Sequence, residues 1–141
     1  MTTYNRPDAL RAVLKALECQ ERIDPKQWEL LIADDGSQEE TRLLIEKFSS
    51  ESPFRIEHVW QPDDGFRAAE IRNKAAVRAK SDYLVFLDGD CIPMPDFLVR
   101  HLELAEHGKS VAGNRILLSK SYTQKLLASA NPVEPLGWGF A

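Results

Sequence analysis

The sequence predicts an α/β fold in which helices alternate with the strands of a mostly parallel sheet, and three observations carry that reading. Short apolar runs stop abruptly at polar, glycine-containing loops, as in WELLIADDGS and YLVFLDGDCIP. Between them lie stretches of roughly ten to fifteen residues whose apolar side chains recur at three- and four-residue spacing, the period of a helix with one buried face. Strand and helix patterns then take turns along the chain, the order expected of βα units rather than of a bundle or a sandwich of two sheets.

A first helix is expected over residues 7–21, where Pro7 suits the opening turn and Leu10, Val13, Leu14 and Leu17 share one face. Asp24-Pro25 breaks it. A buried strand follows over residues 28–33 and stops at Asp34, Asp35, Gly36 and Ser37. Leu43, Leu44 and Phe48 mark a second helix over residues 39–49, and FRIEHVW, residues 54–60, resumes strand character after Ser52-Pro53. The loop QPDDGF leads into an alanine-rich third helix, residues 67–80, with Ile71, Ala75 and Val77 at near-helical intervals. YLVFL, residues 83–87, has the pattern of the most buried strand. Beyond it Pro95 opens a fourth helix carrying Phe97, Leu98, Leu102 and Ala105, closed by His107-Gly108, and residues 109–118 read as another strand. The domain is therefore expected to occupy residues 1–118, with residues 119–141 a tail of no recognisable pattern.

A chain of 141 residues is one domain's length and long enough to bury a core. Eighteen basic against twenty-two acidic side chains leave a net charge of −4, which gives no reason to expect nucleic acid or an anionic membrane as partner. Cys19 and Cys91 lie far apart without metal-type spacing and read as two free thiols of a cytoplasmic chain. No apolar run reaches the length that crosses a bilayer, and the polar start MTTYNRPD lacks the apolar core of a secretory signal.

The chemistry concentrates where apolar runs end. Asp88-Gly89-Asp90 sets two carboxylates at one strand end, and like charges so close repel unless something positive lies between them. Hard cations such as Mg²⁺ or Mn²⁺ prefer carboxylate oxygens and share their shell with phosphates and water. Gly89 permits unusual backbone angles or a close ligand approach. A polar turn after a core strand is the plainer reading of an isolated D-G-D. Asp34-Asp35-Gly36-Ser37 is a second carboxylate cluster at a strand end, suited to accept hydrogen bonds from a base or ribose, or simply to cap the next helix. Arg67 and Arg72 stand near the start of the third helix, where guanidinium groups and helix N–H donors favour a diphosphate. His58, His101 and His107 share no spacing and are expected to be surface or satisfied residues rather than metal ligands.

Taken in order, TTYNRP, LLIADDGS and GFRAAEIRNKAAVRAKSDYLVFLDGDCIP resemble the nucleotide-binding part of the inverting GT-A glycosyltransferases of family 2, over roughly residues 1–118. The variant with HVWQPDDGFRAAEIRN and DGDCIP looks most like bacterial members that build surface polysaccharide or lipopolysaccharide, including chondroitin-polymerase-like enzymes. The resemblance implies a Rossmann-like three-layer sandwich and a nucleotide-sugar donor, with UDP the commonest carrier. It implies that Thr2, Tyr4 and Asp35 hold base and ribose, that Arg72 lies near the donor, that Asp88 faces the ribose or metal, and that Asp90 binds a divalent cation, Mn²⁺ or Mg²⁺. It further implies a saccharide or glycolipid acceptor and a cytoplasmic location, peripheral at the inner membrane face where the acceptor is a lipid.

Against that family both ends look cut short. An apolar strand normally precedes the T-Y-N loop, and its absence would expose a sheet edge through which copies pair. The general base that activates the acceptor hydroxyl is expected to lie outside this chain, although Gly137-Trp138-Gly139 is similar to a G-W-G found in some members. Two other readings stay open. One is a non-catalytic nucleotide-binding or assembly module; the other is a phosphohydrolase with an aspartyl nucleophile, disfavoured because Ile92 stands where its D-x-D-x-Thr pattern needs Thr or Val.

Overall fold

The computed structural model describes residues 1–129. It is α/β, built on a three-stranded parallel sheet in the order β1-β2-β3, with β1 at Thr2–Thr3, β2 at Glu29–Asp34 and β3 at Arg55–Trp60. Strands β2 and β3 pair over their full length, from Glu29 against Arg55 to Asp34 against Trp60. Helices α1 (Pro7–Glu18), α2 (Glu39–Glu51) and α3 (Ala68–Arg78) follow the three strands in turn, and α4 (Phe97–Leu104) and α5 (Lys120–Ala128) come later. A 3-10 turn, Pro25–Gln27, is capped by the Asp24 carboxylate, which accepts from the Lys26 N–H.

Strand alternation divides the core between two faces. Leu30 and Ile32 of β2 point to one side, where they meet Leu10, Val13, Leu14 and Leu17 of α1 and Leu44, Ile45 and Phe48 of α2. Each such leucine or valine, fully buried, contributes roughly 1.5–3 kcal/mol. Ala33 of β2 and Val59 of β3 face the other way, against Ile71 and Ala75 of α3, with Leu31 packed beside them. The sheet is thus covered on both sides, as parallel sheets require, and this is the three-layer sandwich expected. Helix α5 rests against α1 through Leu126, which is buried.

The chain leaves β1 in one direction, through β2 to β3, and then returns. After α3 it crosses back to the far side of β1, where Asp88 forms a parallel bridge with Thr2. The Thr2 N–H donates to the Leu87 carbonyl at 3.0 Å, and the Gly89 N–H donates to the Thr2 carbonyl at 2.7 Å. Strand order therefore reverses between β1 and the 88–90 turn. Ligands of open parallel sheets bind outside the carboxyl ends of the strands at such a reversal.

Four expectations need correction. Residues 83–87 do not form the most buried strand: they carry no strand hydrogen bonding except at Thr2, and Leu84 and Phe86 are 40% and 62% exposed. The reason is local. Strand β1 is two residues long and pairs only with Ala33 and Asp34, and between the rest of β2 and residues 83–87 lies an apolar cleft lined by Leu17, Trp28, Leu31, Ala75, Leu84 and Leu98. Residues 109–118 likewise form no strand, and Ile116 and Leu117 stand exposed. Thr2 and Thr3 nonetheless form strand β1, between β2 and the bridge to Asp88, where sequence reading expected no strand. Finally, the tail contains α5, whose Ser119 hydroxyl caps it by accepting from the Tyr122 N–H. Gly137-Trp138-Gly139 lies outside the described residues.

Candidate functional site

Three loops converge at the carboxyl end of the sheet. The turn after β1 carries Tyr4 and Asn5, the loop after β2 carries Asp35 to Ser37, and the turn at 88–90 is bonded to Thr2. Asn5 adopts a left-handed conformation, φ 47°, which an asparagine tolerates. Its N–H donates to Ser37 Oγ and its Oδ1 accepts from the Gln38 N–H, both at 2.9 Å, so the first two loops are clamped together. Ser37 is fixed in turn by Asp34, whose Oδ1 accepts the Ser37 N–H at 2.8 Å. The other Asp34 oxygen lies 2.9 Å from His58 Nε2, and Asp34 is completely buried.

Gly36 explains the next contact. It takes a left-handed conformation, φ 96°, and a Cβ there would lie 2.5 Å from the Asp63 backbone. The absent side chain lets the QPDDGF loop close over the β2 loop. Asp63 Oδ2 then accepts from the Tyr4 hydroxyl at 2.9 Å, and this hydrogen bond, with the Asp63 charge, raises the Tyr4 pKa. Trp60 Nε1 donates to the Ser37 carbonyl at 3.3 Å.

Asp35 is buried, with both oxygens engaged. Oδ1 accepts from Gln61 Nε2 at 2.6 Å and Oδ2 from the Arg67 N–H, at the start of α3, at 2.7 Å. Each carboxylate oxygen keeps a further lone pair. The Arg67 side chain points to Pro62 and Glu70. Arg72 reaches the other half of the site: its Nε and Nη2 donate to Thr2 Oγ1 at 3.3 and 3.2 Å, and Nη2 lies 3.7 Å from Asp88 Oδ1.

Asp88, Asp90 and Cys91 each offer a ligand atom within 4.8 Å of the others, a group that could hold a metal ion. Its chemistry favours a hard cation. The two exposed carboxylates present oxygen donors, whereas burial and then the charges of Asp90 and Asp88 raise the Cys91 pKa and keep it a thiol, a poor ligand. Beside the turn, Thr3 Oγ1 is buried with no hydrogen-bond partner among the described residues, 3.3 Å from where a Cβ on Gly89 would stand. Gly89 itself is needed for a close approach of the chain's own backbone: that Cβ would sit 2.7 Å from the Thr2 carbonyl oxygen.

Of the residues singled out in the sequence, the structure gathers Thr2, Arg72 and Asp88 into direct contact and sets Asp90 beside Asp88. Tyr4 and Asp35 lie along the same loop edge, tied to that group through the Asp35 N–H, which donates to the Thr3 carbonyl at 3.1 Å. Sequence reading missed Asn5, Gln61, Asp63 and Lys74. The only signal for Gln61 was its place, a polar residue directly after a strand.

The model for glycosyl transferase family 2 matches residues 1–138. The chain belongs to that family. Among its relatives, hyaluronan synthase of Pasteurella multocida is 38% identical over 95 residues, 67% of this chain and 9% of the relative. Chondroitin synthase of Escherichia coli is 34% identical over 110 residues, 78% of this chain and 16% of the relative. Validoxylamine A glucosyltransferase of Streptomyces hygroscopicus subsp. limoneus is 34% identical over 96 residues, 68% and 20%. The family 2 chain thus spans a fifth or less of the length of these relatives.

Proposed function

We propose that this chain is the donor-binding part of an inverting glycosyltransferase that uses a nucleoside diphosphate sugar, with UDP as carrier, in the synthesis of cell-surface polysaccharide or lipopolysaccharide. The observation that carries the proposal is the meeting of Thr2, Arg72 and the Asp88-Gly89-Asp90 turn where strand order reverses. Membership of family 2 and relatives named for hyaluronan and chondroitin synthesis support it.

In this reading Tyr4 and Asp35 hold the base and ribose, with Thr2 beside them. Arg72 swings from Asp88 toward the donor phosphates, a guanidinium fork matching phosphate oxygens. Asp90 and Asp88 hold a divalent cation, Mn²⁺ or Mg²⁺, which when bound neutralises the charge developing on the departing diphosphate. An acceptor hydroxyl of a saccharide or glycolipid displaces that diphosphate from the sugar's anomeric carbon and inverts it. The protein acts in the cytoplasm, peripheral to the inner membrane face; among the described residues no helix is long and apolar enough to cross a membrane.

Calorimetric titration with UDP, with and without Mn²⁺, tests the donor site. Binding that requires the metal and is lost in Asp90→Ala is the expected result; equal binding by that variant would overturn the metal assignment. A second reading, an assembly module, is favoured by the apolar cleft between β2 and residues 83–87, through which two copies would pair.

A further inference from the structure

Gln61 sits immediately after β3, is 2% exposed, and has its backbone pinned by donation from its N–H to the Asp34 carbonyl at 3.2 Å. Its carboxamide lies between two charges of opposite sign. Nε2 donates to Asp35 Oδ1 at 2.6 Å while Oε1 accepts from Lys74 Nζ at 2.9 Å. Rotating the amide by half a turn would set its oxygen against the Asp35 carboxylate and its NH₂ against the Lys74 ammonium, two mismatched contacts in place of two matched ones. Lys74 therefore dictates which end of the amide faces Asp35. Lys74 is itself held by Glu70, one helical turn earlier, at 2.6 Å.

We propose that Gln61 and Lys74 are positioning residues that fix the orientation of the Asp35 carboxylate, so that its remaining lone pairs point where the nucleoside is received. This rests on the donor-site reading above. With Gln61 on one oxygen and the Arg67 N–H on the other, the carboxylate plane is held at both ends. Preorganised acceptors bind more tightly than mobile ones because the ordering cost is met before the ligand arrives.

Lys74→Met tests this, because Lys74 is half-exposed and its loss leaves the core intact. UDP and uridine are titrated against the intact chain, Lys74→Met, Lys74→Arg, and Asp35→Asn with and without Lys74→Met. Lys74→Met is expected to weaken both ligands by the same factor, about tenfold, as the loss of one oriented hydrogen bond would. Lys74→Arg restores affinity, and in the Asp35→Asn background Lys74→Met changes nothing further. A loss confined to UDP would show that Lys74 meets the diphosphate directly and overturn the proposal. Unchanged binding in Lys74→Met would overturn it while leaving the donor site standing. If the unaltered chain binds neither UDP nor uridine, the donor-site reading falls and this proposal with it.

Discussion

The Thr2 carbonyl accepts the Gly89 N–H at 2.7 Å, and the same oxygen would lie 2.7 Å from any Cβ placed on Gly89. One backbone contact thus joins the start of the sheet to the two-carboxylate turn and dictates that the residue between the carboxylates has no side chain. Gly89→Ala must push the turn off Thr2, because the obstructing atom is backbone and cannot rotate away. Overpacking of this kind costs about 1–3 kcal/mol. Chemical denaturation is expected to show a loss in that range, with weaker Mn²⁺-dependent UDP binding; a variant as stable and as tightly binding as the parent would refute the role given to this contact.

Asp34 and His58 form a second pair with a measurable consequence. Asp34 is wholly buried, and its Oδ2 has His58 Nε2 at 2.9 Å, while its Oδ1 holds the Ser37 N–H. His58→Leu preserves bulk but leaves that oxygen without its partner. A buried acceptor left unsatisfied costs about 1–3 kcal/mol. The expected outcome is a drop in stability of that size by urea denaturation, whereas Asn at position 58, which can still donate, recovers part of it.

How far the sequence foretold this arrangement depends on whether the decisive physics was local. Strand β2 and helices α1 to α3 were legible because alternation and helical spacing are properties of short segments, and the flanking Pro and Gly residues mark their ends. Asp88 and Asp90 stood out in the sequence as two carboxylates directly after an apolar run, and Arg72 as a guanidinium near the start of a helix. Residues 83–87 were misjudged because apolar composition says that a segment can be a buried strand, while only its neighbours decide that it is one. Leu84 and Phe86 face an apolar cleft rather than a neighbouring strand and stay 40% and 62% exposed. Gln61 and Lys74 could not be seen, since a relay from α3 through β3 to Asp35 exists only after the chain has folded.

The open cleft gives a third expectation. The outer edge of β3 carries Arg55 and Glu57, joined to each other in an ion pair, and charge on an edge discourages pairing. Residues 83–87 carry no charge at all. Self-association should therefore run through the cleft rather than through β3. Sedimentation is expected to show concentration-dependent dimers that Phe86→Lys abolishes. Phe86 is 62% exposed, so the lysine costs the monomer little. Dimers that persist in this variant would exclude residues 83–87 from the interface.

The Met1 amino group supplies a pH dependence. It donates to the Leu31 carbonyl at 2.7 Å, and burial first, then the nearby Arg72 charge, lower its pKa from 8.0 to about 6, with Asp88 opposing. The unfolded chain thus binds this proton more tightly than the folded one, so stability rises with pH between about 6 and 8 and is flat from this source outside that window. The full effect is at most roughly 3 kcal/mol. His101, whose pKa burial also lowers, acts in the same direction near its own range. Acetylating the amino group separates the two: the amide has no charge to bury and can still donate to Leu31. Denaturation at a series of pH values from 5 to 9 is expected to show a rise in the free chain that is smaller after acetylation. Identical profiles would mean that the Met1 ammonium is solvated in the folded protein.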